Sequence, residues 1–450
     1  MDKIEGNKVD IIGAGLVGTL LALYFIKEGY QVEIFEKRPD PRLFQGDRGR
    51  SINLALSYRG LQALKEVGLD VDVMTICIPM AGRMVHTVNG SLNFQSYSDN
   101  GDTIYSVSRS ALNEILIHEA ELRGLKINFN SRLDEVDFAH QTFSCQVAGE
   151  KIQRKYDYLF GADGAYSALR QKMQFTDRFN YSQTYIDHGY KELHIPAANG
   201  QYAMEKNALH IWPRENFMLI ALPNLDGSFT CTLFLGFHGE YSFDRLKDET
   251  NVRSFFEENF PDALKLMPNL FEEFFSNPTS SLVYISCQPW HLNNAYLIGD
   301  AAHAIVPFYG QGMNAGFEDV KILFELFVDS NTNLTTSFSM FQQSRKRDTD
   351  AISTLALNNF IEMRDLVDDP KFILRKKIES KLHEEFPELY KSLYSLVSFS
   401  DLPYHEALKI SDQQNRLFEE VFEVFNLDID LSDPDQWKRI KAIFSKYFVA

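Results

Sequence analysis

Three passages of the 450-residue chain share one build: an apolar strand, a small-residue turn that holds or precedes an acid, and the start of a helix. They are KVDIIGAGLVG at 8–18 with Glu36 beyond it, YLFGADG at 158–164, and YLIGD at 296–300 leading into PFYGQGMN at 307–314. Between the second and third, residues 185–237 read as strands, and beyond 339 the pattern is mainly helical. Together these observations predict an α/β chain: a Rossmann-like nucleotide domain, an inserted antiparallel sheet and a C-terminal helical region. The expected divisions are 1–180 for the first part of the nucleotide domain, with a hairpin near 80–100, then 181–285 for the inserted sheet, 286–330 for the return segment and 331–450 for the helices.

The first passage carries the most chemistry. An apolar run at 8–12 leads into Gly13, Gly15 and Gly18, and a helical pattern follows to Gly29. A second strand, QVEIFEKR, then places Glu36 at its end. In this context the glycines serve a tight turn, backbone approach to a pyrophosphate and helix–strand packing, while the acid accepts from a ribose. The second passage again delivers an acid, Asp163, ahead of a helix that starts near Ser167 and carries Arg170. The third sets Asp300 at a strand end, then Pro307, Gly310 and Gly312, then a helix from about Met313. A helix N-terminus there aims partial positive charge at whatever lies in front of it.

Between these passages lie other candidates. Arg48 and Arg50 sit in a loop after the first βαβ unit, and Ala55 lies in the strand that follows. The alternation at 84–88 and the turn Asn89–Gly90 predict a hairpin flanked by Arg83 and Tyr97, which can bring a cation and a phenol into one pocket. Ser108 is an N-cap candidate, and Arg109 stands at the helix start, where the dipole disfavours a cation unless an anion is near. Asn359 interrupts the apolar helical stripe of Ile352, Leu355, Ala356 and Met363, so its amide bonds either a neighbouring backbone or a ligand. Tyr394 and Tyr404 invite the same two readings. Trp212 reads as a wall over a cofactor or as core. His86, His188, His210 and His303 stand isolated in the sequence and read as structural.

Composition excludes some classes. Lys+Arg 45 against Asp+Glu 62 gives −17, which argues against a nucleic-acid partner. Cys77, Cys145, Cys231 and Cys287 are scattered, and no ligand spacing points to a metal. With no secretory signal, a cytoplasmic protein with reduced thiols is expected. The longest apolar run, 9–26, is broken by Asp10 and three glycines and reads as strand, loop and helix rather than a membrane span. The closing WKRIKAIFSKYFVA is amphipathic, too short to span a bilayer, and expected to be a packed terminal helix.

In order, GAGLVG with Glu36, GADG, and GD followed by PFYGQGMNAGFED resemble the single-component FAD-dependent aromatic hydroxylases of the para-hydroxybenzoate hydroxylase type, over residues 8–320. Further stretches, GRMVHTVNG, IYSVSR, GADGAYSALR, HIWPRENFMLIALPN, VPFYGQGMNAGFEDV and NNFIEMR, are similar to the kynurenine-hydroxylating branch of that family. The resemblance implies tightly bound FAD, transiently bound NADPH, and O2. It implies hydroxylation of L-kynurenine to 3-hydroxy-L-kynurenine, a step of tryptophan catabolism toward NAD, in a monomer or homodimer without a transmembrane anchor.

The resemblance also implies positions. Arg83 would meet the substrate carboxylate, Tyr97, Asn359 and Tyr394 would complete that pocket, and Met363 would line it. FAD would be held by Gly13, Gly15, Val17, Gly18, Glu36, Arg38, Ala55, Leu133, Asp163 and Pro307. Asp300 would bond its ribityl chain, Arg109 would help hold it, and the Gly312–Met313–Asn314 backbone would meet the isoalloxazine ring. Tyr309 and Phe360 stand where relatives vary among aromatics, and the C-terminus departs from the anchored animal enzymes. No side chain is assigned as catalytic acid or base. Two other readings stay open: hydroxylation of a different aromatic acid, such as a benzoate-like compound, and a flavin-binding protein without turnover.

Overall fold

The computed structural model describes residues 8–43, 53–98, 100–147, 149–329, 333–366 and 369–448. Arg48 and Arg50 lie outside them. A six-stranded sheet organises the first layer, in the spatial order His291–Leu292, Ala295–Leu297, Tyr158–Gly161, Lys8–Ile12, Gln31–Phe35, Lys126–Asn128. All neighbours are parallel except the first pair. Val9, Ile11, Ile34, Leu159, Phe160, Tyr296 and Leu297 are buried, as continuous apolar strands covered on both faces require. Helices Leu16–Lys27 and Gly312–Asp329 cover one region together, with the Phe25 and Phe324 rings 4.8 Å apart.

The register decides where the chemistry gathers. Ile12 pairs with both Gly161 and Phe35, and Gly161 pairs with Leu297. The carboxyl ends of four neighbouring strands are therefore level. Glu36, Asp163 and Asp300, each just past such an end, emerge along one edge of the sheet, where ligands bind in open parallel sheets.

A seven-stranded sheet forms the second layer, in the order Thr279–Gln288, Asn180–Ile195, Phe229–Gly236, Phe217–Pro223, Ala208–Arg214, Gly82–His86, Leu92–Ser96. It is antiparallel except where Gly82–His86 runs parallel to Ala208–Arg214. The early hairpin thus extends a sheet built from residues a hundred positions later. The two faces alternate as strands demand. Trp212, Leu219 and Leu233 face the helices around Glu249–Asn259, while Ile211, Met218, Ile220 and Phe234 face the C-terminal helices. Trp212 is therefore core, and its indole N–H donates to Asp262 at 2.9 Å.

The parallel pairing also corrects the reading of two histidines as isolated. His86 Nε2 lies 2.9 Å from His210 Nδ1, and His86 Nδ1 lies 2.7 Å from the Asp262 carboxylate. Burial pushes His210 down to about 4. His303 is likewise not isolated: its Nε2 lies 2.5 Å from Asp319.

Two three-stranded sheets complete the strands, Arg132–Asp137 with Thr142–Val147 and Glu150–Lys155, and Asn53–Leu56 with Ile104–Ser108 and Cys77–Met80. Helices Leu334–Ile361, Pro370–Glu385, Leu393–Ser398, Tyr404–Phe425 and Pro434–Phe448 close the chain. The last buries Trp437, Ile440, Ile443 and Phe444, one amphipathic stripe, in a helical core of its own. Among the described residues no helix is long and apolar enough to cross a membrane.

Candidate active site

The glycine loop is shaped by close approaches. Gly13 has φ +109°, and a Cβ there would stand 2.6 Å from the Ala162 carbonyl oxygen. A Cβ on Gly18 would stand 2.1 Å from the Gly13 oxygen. A Cβ on Gly15 would meet nothing within 4 Å, so the loop is open there toward a ligand. Gly15 also caps helix Leu16–Lys27 without a side-chain bond to the first-turn N–H groups, which suits phosphate oxygens. Val17 lies between the first and third passages, close to both Gly299 and Gly316.

Glu36 accepts from the Ala14 N–H at 2.9 Å and the Arg38 N–H at 2.8 Å. Residues 130–131 run alongside, with backbone bonds to Arg38 and Glu36. Arg38 is exposed, whereas the Leu133 side chain is buried in the main core. Asp163 caps helix Ala168–Met173 through Oδ2, 2.6 Å from the Ala168 N–H. Its Oδ1 is buried without a hydrogen-bond partner among the described residues. Burial raises its carboxyl above the usual range, against the lowering bonds from Ser167 and Ala168. Burial also raises Asp300, against the pull of Arg109. Asp300 is exposed, at the first position of helix Asp300–His303.

The third passage is pinned rather than loose. Asn314 donates to the Ala55 and Gly310 carbonyls at 2.8 Å each and accepts from the Ser57 N–H at 2.9 Å. Its side chain is thus consumed in tying loop 310–314 to strand Asn53–Leu56. Gly312 and Met313, half-buried, begin an 18-residue helix. Pro307 is exposed. The Gly299 N–H, directly before Asp300, donates to Asp319 at 3.2 Å. The residues present fit FAD: an open glycine cradle, a buried acceptor on Asp163 that lacks a donor among the described residues, and a helix N-terminus.

Arg83, Tyr97, Tyr309, Asn359, Met363 and Tyr394 gather where the seven-stranded sheet, the 307–314 loop and the C-terminal helices meet. A Cβ on Gly82 would stand 2.3 Å from the Gln95 carbonyl, so the hairpin closes tightly beside Arg83. The Arg83 guanidinium lies 5.2 Å from the Tyr394 ring centroid and 5.7 Å from that of Tyr97. Tyr97 and Tyr394 stack at 4.6 Å and 13°, and Tyr309 stacks on Tyr394 at 5.7 Å and 15°. Burial works against the charge on Arg83, but Tyr97, Tyr394 and Glu362 hold it above its ordinary value. Burial also pushes the phenols of Tyr97 and Tyr309 well up, so both are neutral donors. Asn359 donates to the Phe308 carbonyl at 2.7 Å and to the Met363 sulfur at 3.3 Å, so its NH2 bonds backbone and shapes the 308–309 turn. Met363 is buried in the cluster that holds Phe308 and Tyr309, with Tyr394 packed against it.

Sequence reasoning missed several residues. Asn113 donates to the Ala14 carbonyl at 3.2 Å while its Oδ1 is buried without a partner among the described residues, facing the same loop. Glu362, next to Met363 in a π-turn, contributes to the field at Arg83. Arg59, Glu318, Asp319 and Arg345 form a buried ionic cluster.

Residues 7–329 match the FAD binding domain family. A kynurenine 3-monooxygenase of Flavobacterium johnsoniae is 47% identical over 443 residues, covering 98% of this chain and 99% of that protein. The chain belongs to the kynurenine 3-monooxygenase family. The kynurenine 3-monooxygenase of Dictyostelium discoideum is 43% identical, covering 96% of this chain and 98% of that protein. Among solved structures, 2-methyl-3-hydroxypyridine-5-carboxylic acid oxygenase matches with a TM-score of 0.66 at 18% identity, over 82% of this chain and 95% of that one. A p-nitrophenol 4-monooxygenase from Pseudomonas putida matches at 0.64 and 17%, over 91% and 99%. These two share the fold: parallel nucleotide sheet, second sheet, C-terminal helices.

Proposed function

We propose that this chain hydroxylates L-kynurenine at ring position 3, with FAD, NADPH and O2. The observation that carries the substrate reading is Arg83, a guanidinium set against two stacked tyrosines beside the loop that begins helix Gly312–Asp329. Arg83 holds the α-carboxylate by a charge-assisted pair, and Tyr97 and Tyr394 donate from neutral phenols. Asn359 keeps the Phe308–Tyr309 turn in place, and Met363 fills the wall. The substrate ring is thereby held toward the flavin face of Gly312–Asn314.

FAD is held at pyrophosphate by Gly13, Gly15, Val17 and Gly18 with the first-turn N–H groups. Glu36 meets the ribose, with Arg38 and the segment before Leu133 beside it. Asp163, Asp300 and Arg109 meet the central part of the cofactor. Ala55 and Pro307 flank the flavin end. Bound FAD, reduced by NADPH and reacting with O2, supplies the electrophilic oxygen. The chain positions the substrate, excludes water and places the N-terminus of helix Gly312–Asp329 where negative charge develops. The ortho amine of the substrate activates its own ring, so no side-chain base is assigned. NADPH binds transiently, for the sequence holds one glycine fingerprint.

The test is NADPH consumption by the purified protein with and without L-kynurenine, with products identified by mass. Stimulated consumption and 3-hydroxykynurenine are expected. Neither stimulation nor product overturns the reading. Stimulation by benzoate-like acids in place of L-kynurenine assigns a different aromatic acid.

A further inference from the structure

The pocket tyrosine and the flavin-facing loop belong to distant parts of the chain, yet one buried arginine ties both. Arg59 lies in helix Tyr58–Glu66, just after the strand end that Asn314 grips, and it is 2% exposed. One guanidinium nitrogen pairs with Glu318, six residues into helix Gly312–Asp329. Nε donates to the Val397 carbonyl at 3.2 Å, and Nη2 donates to the Leu402 carbonyl. Val397 stands in the last turn of helix Leu393–Ser398, three residues beyond Tyr394. The Arg59 guanidinium also lies 4.0 Å from the Tyr404 ring centroid, and the Tyr404 hydroxyl donates to Gln311 at 3.0 Å, directly before Gly312.

Only a planar fork with several donors satisfies a carboxylate and two carbonyls on separate segments at once. A lysine ammonium can keep the Glu318 pair but cannot span both carbonyls in the same plane. We propose that Arg59 is a positioning residue, which sets the Tyr394 helix relative to the flavin-facing loop and so sets the acid pocket relative to FAD. It touches neither substrate nor cofactor. The inference rests on the L-kynurenine reading above.

A double-mutant cycle tests it on the holoenzyme. Arg59→Lys is made in the wild type and in Tyr394→Leu, and L-kynurenine affinity is read from the change in FAD absorbance on titration, alongside KM. A residue that acts through Tyr394 loses its effect when Tyr394 is gone. Arg59→Lys is expected to weaken L-kynurenine about tenfold with Tyr394 present and about twofold or less without it. Equal fold losses in both backgrounds overturn the proposal and leave Arg59 as a support of the fold alone. Glu318→Gln perturbs the same tie from the flavin side while keeping the cation. It is expected to show the same non-additivity, and it decides the matter should Arg59→Lys not accumulate. A wild type that neither binds nor hydroxylates L-kynurenine refutes the substrate reading and this inference with it. An additive cycle in an active wild type refutes this inference alone.

Discussion

Replacing Arg83 by Met removes the guanidinium fork but keeps a stem of similar length between the hairpin and the tyrosine stack. The fork lies 5.2 Å and 5.7 Å from the Tyr394 and Tyr97 ring centroids. Tyr97 stays stacked on Tyr394, and Tyr394 on Tyr309, so the tyrosine wall stands without the guanidinium. Under the proposed function the loss is thus the charge-assisted pair to the substrate carboxylate. A hydrogen bond to a charged group contributes about 1.5–3 kcal/mol, and a partly desolvated two-point pair stands near the top of that range. About 3 kcal/mol corresponds to about a hundredfold. KM for L-kynurenine is expected to rise by about that factor, with kcat changed far less, because the pair is made in ground state and transition state alike. The assay is steady-state NADPH oxidation with L-kynurenine and with its analogue lacking the carboxylate. Wild type is expected to favour L-kynurenine strongly, and Arg83→Met to accept both about equally. A KM within twofold of wild type, or undiminished discrimination, refutes the placement of Arg83 at the carboxylate.

Three further outcomes follow from other positions. Gly15→Ala has room in the protein and is expected to leave the apoprotein melting temperature unchanged while weakening FAD, whereas Gly18→Ala collides with the Gly13 carbonyl and should be destabilised even without cofactor; flavin absorbance per protein and thermal melts check both. Asn359→Leu leaves the Phe308 carbonyl without its donor, costs about 1–3 kcal/mol, and is expected to raise KM for L-kynurenine with FAD content intact. Asp10 is fully buried, with Lys8 Nζ at 3.2 Å, and burial pushes its carboxyl up to about 6. Its folded pKa exceeds its unfolded one, so below about pH 4 it costs nothing, and stability falls as pH rises from there through about 6. Asp10→Asn is therefore expected to gain about 1–3 kcal/mol at pH 7.5 and nothing at pH 4, read from urea unfolding at the two pH values.

Local features were legible in the sequence because their causes are local. Strand Lys8–Ile12, the Gly13–Gly18 turn and the Ser108 cap each depend on a few neighbouring residues. The fold class followed from repeating that build three times. The Arg83 site was another matter. Arg83 and Tyr97 flank one hairpin, and spacing could suggest that they meet, but Tyr394 joins them from three hundred residues away, and its role came from resemblance. The parallel pairing of Gly82–His86 with Ala208–Arg214 brings His86 to His210, and no local pattern encodes it. Arg59, Glu318 and Arg345 went unremarked in the sequence, because nothing in a helix's own periodicity names the partner that buries a charge.

The nucleotide sheet is assembled from the two ends of a long stretch of chain. Strand Lys8–Ile12 finds Gln31–Phe35 nearby, but its other neighbour is Tyr158–Gly161, and beyond that stands Ala295–Leu297. On a ribosome adding about 5–20 residues each second, the last of these emerges roughly 15–60 s after the first. For that interval the nascent chain presents apolar strands with an open edge, the state most exposed to wrong pairing. Asp300 and loop 307–314 arrive later still, so the proposed FAD site cannot close before most of the polypeptide has been made. Flavin supply during synthesis, and chaperone cover for the waiting edge, are therefore expected to raise the yield of folded protein.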